Sequence, residues 1–170
     1  MMFQPGDLVV YGSSGVCRVM KVGVLEGRAA DPKRQYYTLQ PLFEAEMIYT
    51  PVDSGVFMRP AMTKEQAQDL IRQIPEIDGD VCTERNPANL RVHYEASLQS
   101  HECRELIRMI KGIRHKGQET EKKGRKMGQV DQRYQKKAEG LLHGELAIAL
   151  GIAREEVESY IQEALQAAAG

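Results

Sequence analysis

The sequence predicts an α+β protein: a small SH3-like or Tudor-like β-barrel in residues 1–62, then an all-α helical bundle in residues 86–170. Two observations predict it. Short runs of β-branched and aromatic residues fill the first 60 positions, and the apolar spacing switches to a helical repeat at Thr63.

The β half opens with Pro5-Gly6-Asp7, a tight-turn signal, followed by Leu8-Val9-Val10-Tyr11, a short run of strand formers. Gly12-Ser13-Ser14-Gly15 then leads into the β-rich run Val16 to Leu25. Arg28-Ala29-Ala30-Asp31-Pro32-Lys33 reads as a loop, Tyr36-Tyr37-Thr38-Leu39 as a third strand, and Met47 to Val52 as a further short one. Four or five short strands without a helix-length pattern favour a small barrel over a sandwich.

At Thr63 the period changes. Thr63 and Gln66 form a candidate capping box, Ala67, Leu70, Ile71 and Ile74 repeat at helical spacing, and Pro75 stops the helix. Residues 63–85 therefore read as a bridging helix and a polar, turn-prone linker. Asn86-Pro87 supplies an N-cap and a first-turn proline for the next helix. Cys103, Leu106, Ile107, Ile110 and Ile113 mark one apolar stripe, Val130, Tyr134, Ala138, Leu141, Leu142 and Ala149 another, and Val157, Tyr160, Ile161, Ala164 and Leu165 a last one after Gly151.

Composition excludes several function classes. No segment reaches about 18 consecutive apolar residues, and a charged leader followed by an apolar stretch and a cleavage site is missing, so a soluble cytoplasmic protein without a membrane is expected. Cys17, Cys82 and Cys103 are widely spaced, without a C-x-x-C pair, and are expected to be reduced thiols. Nucleophile-elbow, zinc-protease, phosphate-loop and dinucleotide motifs are all lacking, so no enzyme, no cofactor and no small-molecule substrate are expected. His101-Glu102-Cys103, with His93 or Cys82, is a weak metal candidate beside its plain reading as helix-surface and stripe residues.

The net charge of −1 hides a division into −3 over residues 1–82, +6 over residues 83–144 and −4 over residues 145–170. A basic middle between acidic ends suits a polyanion-binding face. Its densest part, Lys111 to Lys126, holds seven Lys or Arg against two Glu, and with Gly112, Gly117 and Gly124 it reads as a helix end, a mobile loop and a helix start. Arg133, Lys136 and Lys137 follow. Such cations suit phosphate contacts independent of sequence.

Three stretches in order carry a family resemblance: Met2 to Val16, Asn89 to Leu98 and Leu141 to Ala147. The first resembles the start of the CarD/CdnL family of bacterial transcription regulators and the polymerase-interacting module of the transcription-repair coupling factor. The second is similar to that family's N-W-x-x-R-Y-x-x-x-L segment and the third to its L-x-x-G-E-L-A segment. The resemblance implies a barrel that binds the β subunit of RNA polymerase, a helical domain that contacts promoter DNA, and a longer-lived open promoter complex. It places the polymerase contact on Met47, Ile48, Tyr49, Thr50, Pro51 and Val52, with Tyr49 where a family member carries arginine. Leu90 stands where the family has a tryptophan that wedges into DNA, and it reads either as a weaker wedge or as part of a buried Leu90, Tyr94, Leu98 stripe. The DNA-contact residues expected are Asn89, Leu90, Arg91, Lys122, Lys123, Arg125, Lys126, Arg133, Lys136 and Lys137. Two rivals stay open: a polymerase-binding module without DNA contact, and an RNA or ribosome binder.

Overall fold

The computed structural model describes residues 2–25 and 33–169, and the chain divides into two compact units, Met1–Met62 and Thr63–Gly170. The loop expected at Arg28 to Lys33 lies outside the described residues except for Lys33.

The first unit is a five-stranded antiparallel sheet: β1 (Leu8–Tyr11), β2 (Val16–Val24), β3 (Gln35–Pro41), β4 (Ile48–Pro51) and β5 (Met58–Pro60). Its order is β4-β3-β2-β1-β5, so β4 and β5 are edges and the ladder does not close. Side chains nevertheless join distant strands. The Tyr11 hydroxyl on β1 donates to Oγ1 of Thr50 on β4 at 3.1 Å, although a flat sheet would set those strands three spacings, about 14 Å, apart. The sheet must curl, as a small barrel does. Val9, Cys17, Val19, Tyr37 and Leu39 form its core, with Ile48 and Val52 from one edge and Met58 from the other packed against them. Burial pushes the Cys17 thiol up to about 11, with the Glu44 charge adding to the effect.

The second unit contains α1 (Lys64–Gln73), α2 (Pro87–Leu98), α3 (Cys103–Lys122), α4 (Gln129–Leu150) and α5 (Val157–Ala169), with short 3-10 turns at Ile74–Glu76 and Arg154–Glu156. Local signals set the ends. Thr63 and Gln66 form the capping box, the Asn86 side chain accepts from the Ala88 and Asn89 N–H groups, and Gly151 closes α4 with φ +71°. The helix read as a bridge belongs to this unit, where α1 packs on α4 and α5. The long α4 is the hub, touching the other four helices.

One sequence expectation is corrected here. α3 runs without a break through Gly112 and Gly117 to Lys122, so the basic run is mostly helix and not a mobile loop. The glycines serve close approach. A Cβ at Gly112 would overlap the Asp80 carbonyl oxygen and stand 2.5 Å from its carbon, and one at Gly117 would stand 2.5 Å from the Met127 methyl. The linker is thus laid on α3, with the Asp80 N–H donating to the Arg108 carbonyl at 2.9 Å and Lys111 Nζ to the Ile77 carbonyl at 2.6 Å. Nε2 of His93 meets Oδ2 of Asp80 at 2.7 Å.

Candidate functional site

The expected polymerase strand is β4, and it is an edge. Its inner residues are committed to the fold: Ile48 and Val52 pack on the core, and Thr50 is buried. Tyr49 points the other way and is 57% exposed. The Val52 N–H donates to the Gln35 carbonyl at 3.0 Å, which makes residues 52, 50 and 48 the ones bonded to β3 in the alternating ladder. Tyr49 and Pro51 therefore turn their backbone outward. Pro51 has no N–H and its carbonyl already accepts from the Ser54 N–H at 3.0 Å, so Tyr49 supplies both the donor and the acceptor left on the open edge. Met47, just before the strand, is half-buried. Arg34 ties the far end by Nη2 to Oδ1 of Asp53 at 2.9 Å.

In the helical unit the predicted DNA contacts separate into two groups. Arg91 on α2 and Arg133 and Lys137 on α4 gather around Tyr134 and Glu95. The Tyr134 hydroxyl donates to Oε1 of Glu95 at 2.7 Å, and Lys137 Nζ stands 3.9 Å from the same oxygen. Burial and then Glu95 raise the Tyr134 pKa, while the nearby Arg133 and Arg91 charges oppose the rise. Lys137 thus stands near the Glu95 carboxylate, and the Arg91 and Arg133 charges act on the tyrosine bonded to it. Asn89 is exposed in the first turn of α2 beside them.

The second group occupies the turn between α3 and α4. Lys122, Lys123, Arg125 and Lys126 are all exposed, and only Lys122 has an acidic partner among the described residues, Glu119 at 3.2 Å. Lys136 is exposed on α4. The turn is well anchored: the Arg125 N–H donates to the Thr120 carbonyl at 3.0 Å, Gly124 adopts φ +70°, and Gln132 Nε2 donates to the Met127 carbonyl at 2.6 Å.

Leu90 is not with these cations. It is 7% exposed and belongs to the core of the bundle, so its expected place among the DNA contacts is corrected: a buried side chain presents no wedge to a duplex. The helical phase explains it, since Leu90 and Tyr94 lie one turn apart on the inner face of α2. Val92, on the opposite face, is 69% exposed.

Tyr94 anchors a buried polar network beneath this surface. Its hydroxyl donates to Oδ1 of Asp131, which also accepts from Lys116 Nζ at 2.9 Å. Burial, then the bond to Asp131 and that carboxylate's charge, raise the Tyr94 pKa well above the ordinary tyrosine range. The weak metal candidate resolves differently. Cys103 is buried and its thiol donates to Oε1 of Glu145 at 3.2 Å, and the described residues hold no group of three His, Cys, Asp or Glu arranged to bind a metal ion.

Sequence reasoning places Tyr134 on an apolar stripe and reads Glu95 as a charge against DNA contact, and it misses the bond between them. The spacing of Arg91 to Glu95 and of Arg133 to Lys137, four residues in each case, was the available signal that each pair shares a helix face. The Tyr134 bond to Glu95 spans 39 residues and has no local signal.

No curated protein sequence matches this chain. Residues 3–62 match the model of the CarD-like/TRCF RID domain, a stretch that coincides with the curled sheet and its open β4 edge. The N-terminal unit of this chain is therefore a CarD-like/TRCF RID domain, an RNA polymerase-interacting module.

Proposed function

We propose that this protein is a non-enzymatic bacterial transcription regulator of the cytoplasm that pairs its β4 edge with the polymerase β subunit and sets its helical unit on promoter DNA, stabilising the open complex. The observation that carries the reading is the free backbone of Tyr49 on an exposed edge inside the matched domain. An edge of this kind accepts a partner strand through main-chain hydrogen bonds, so tyrosine in place of arginine removes a charged contact and keeps the strand addition.

The DNA part is supported by Arg91, Arg133 and Lys137, which offer a compact set of cations to phosphates. Interactions that form only after the duplex has opened shift the equilibrium toward the open state, and a coupling of about 1–3 kcal/mol changes its population roughly 5- to 150-fold. The test replaces Arg91, Arg133 and Lys137 by alanine in the full chain. The salt slope for duplex binding should fall by about 2.7, so that raising salt from about 50 to 200 mM costs the wild type roughly 40-fold more affinity than the variant. Promoter-complex lifetimes should shorten with it.

The burial of Leu90 and the carboxylate of Glu95 beside Lys137 favour a second reading, a polymerase-binding module without DNA contact. On that reading the triple variant leaves both slope and lifetime unchanged.

A further inference from the structure

Beside the anchored turn lies an open groove of about 550 Å³ between the end of α3 and the start of α4. Its chemistry is unlike that of a plain basic surface. Gln118, Gln132 and Gln135 line it together with Arg125, Lys126 and Met127. Two of the amides are oriented by what they already hold. Gln132 Nε2 donates to the Met127 carbonyl and Gln135 Nε2 donates to Oε1 of Glu139 at 3.2 Å, acceptors only, so each leaves its carbonyl oxygen without a partner among the described residues. Gln118 is exposed, and its amide has no partner among the described residues. Arg114, also on the rim, is committed to Glu139 and Glu158 at 3.0 and 3.2 Å, whereas Arg125 and Lys126 have no carboxylate partner among the described residues. Gly117 admits the Met127 methyl against α3, next in the chain to the lining residues Arg125 and Lys126.

A ligand that satisfies this set needs hydrogen-bond donors for the amide carbonyls, an apolar face for Met127 and negative charge for Arg125 and Lys126. A nucleotide with an amino-bearing base has all three, and the groove falls in the size range of small-ligand sites. Duplex DNA does not fit, because its base edges lie at the floor of its own grooves, about 8.5 Å deep in the major groove, and are reached by projections and not by concavities. Glu121, a further wall residue, repels phosphate and leaves the cationic side as the place for the backbone.

We propose that the α3–α4 groove takes one nucleotide of an unpaired DNA strand, an adenine, cytosine or guanine base against the glutamine carbonyls and its phosphates on Arg125 and Lys126. The inference rests on the DNA reading above and adds to it a site for the opened strand, separate from the Arg91, Arg133 and Lys137 cluster.

The test measures binding of the full chain to fluorescent oligodeoxyadenylate, oligothymidylate and a duplex by anisotropy. Oligodeoxyadenylate should bind about tenfold more tightly than oligothymidylate, because the adenine amino group has two N–H donors for two glutamine carbonyls and an unpaired thymine offers its single N3–H. Gln118→Ala, at an exposed position that breaks no contact, should narrow that preference, and Gln118→Ala with Gln135→Ala should abolish it while duplex affinity stays unchanged. Arg125→Ala with Lys126→Ala should lower the single-strand salt slope by about 1.4. Equal binding of the two strands, or a preference that survives the double glutamine variant, overturns the proposal while duplex binding still supports the DNA reading. Loss of all three ligands from the wild type overturns both. Deoxyadenosine monophosphate serves as the free-nucleotide arm: if it binds as tightly as the strand, the groove is a site for free nucleotides and the proposal fails.

Discussion

Replacing Gly112 by alanine should destabilise the helical unit, whereas the same change at Gly140 should stabilise it. At Gly112 the added Cβ meets backbone on three sides: the Asp80 carbonyl oxygen, its carbon at 2.5 Å and the Val81 nitrogen at 3.1 Å. Backbone cannot rotate away as a side-chain tip can, so the linker must lift. Lifting it loses the Asp80 to Arg108 bond, worth about 1 kcal/mol, and the charge-assisted bond from Lys111 to Ile77, about 1.5–3 kcal/mol. It also uncovers part of Ile77, which is 3% exposed, at a cost of about 1 kcal/mol. Against these stands the alanine helix preference of about 1 kcal/mol, leaving a net loss of roughly 2–4 kcal/mol. A Cβ at Gly140 meets nothing within 4 Å, so only the helix preference acts there. With a denaturant slope of about 2 kcal/mol per molar urea, the midpoint followed by helical circular dichroism should fall by about 1–2 M for Gly112→Ala and rise by about 0.3–0.5 M for Gly140→Ala. Gly117→Ala should fall between them, because its Cβ meets only the movable Met127 methyl. A Gly112→Ala midpoint at or above wild type would refute the linker clasp.

Further outcomes follow from the buried groups. Lys116→Met should cost about 3–5 kcal/mol by leaving the Asp131 carboxylate buried without its ion pair, and Tyr94→Phe about 1–2 kcal/mol because Lys116 remains; urea titration of both variants checks the order. Burial holds the His143 pKa below its ordinary 6.5, so the unfolded chain binds the extra proton first and stability should drop as pH falls through about 6.5 toward the lower folded value. His143→Gln should lose that part of the pH dependence, read as the difference between the two stability profiles. Glu95→Gln should tighten duplex binding at low salt by removing the carboxylate beside Lys137 and Tyr134, an effect that salt screening should erase.

What was legible in the sequence was local. Thr63 with Gln66, Asn86 with Pro87, and Gly151 announce helix ends through bonds within a few residues, and each cap is present in the fold. The β runs around Val9, Val19 and Leu39 alternate or cluster strongly enough to mark strands. β5 gave little signal, because Met58-Arg59-Pro60 is short and its pairing with β1 is long-range. Gly112 and Gly117 read as helix breakers, yet their purpose lies in Asp80 and Met127, partners that spacing does not reveal. The candidate site shows the same division. Exposure of the basic residues on α3 and α4 was legible as a charge run, while the grouping of Arg91 with Arg133 and Lys137 required the packing of α2 on α4. Leu90 was ambiguous in sequence because a wedge and a core leucine look alike until the neighbouring helices are placed.

The edge role of β4 depends on strand order and is tested through Tyr49. Tyr49→Pro removes the one outward N–H without breaking a bond to β3, and Tyr49→Ala removes the side chain alone. Affinity of the full chain for RNA polymerase, measured by biolayer interferometry with protection of the Cys17 thiol, buried in the core of the sheet, as the folding control, should fall at least tenfold for Tyr49→Pro, and less for Tyr49→Ala. Wild-type polymerase affinity in a well-folded Tyr49→Pro protein would contradict docking through this strand.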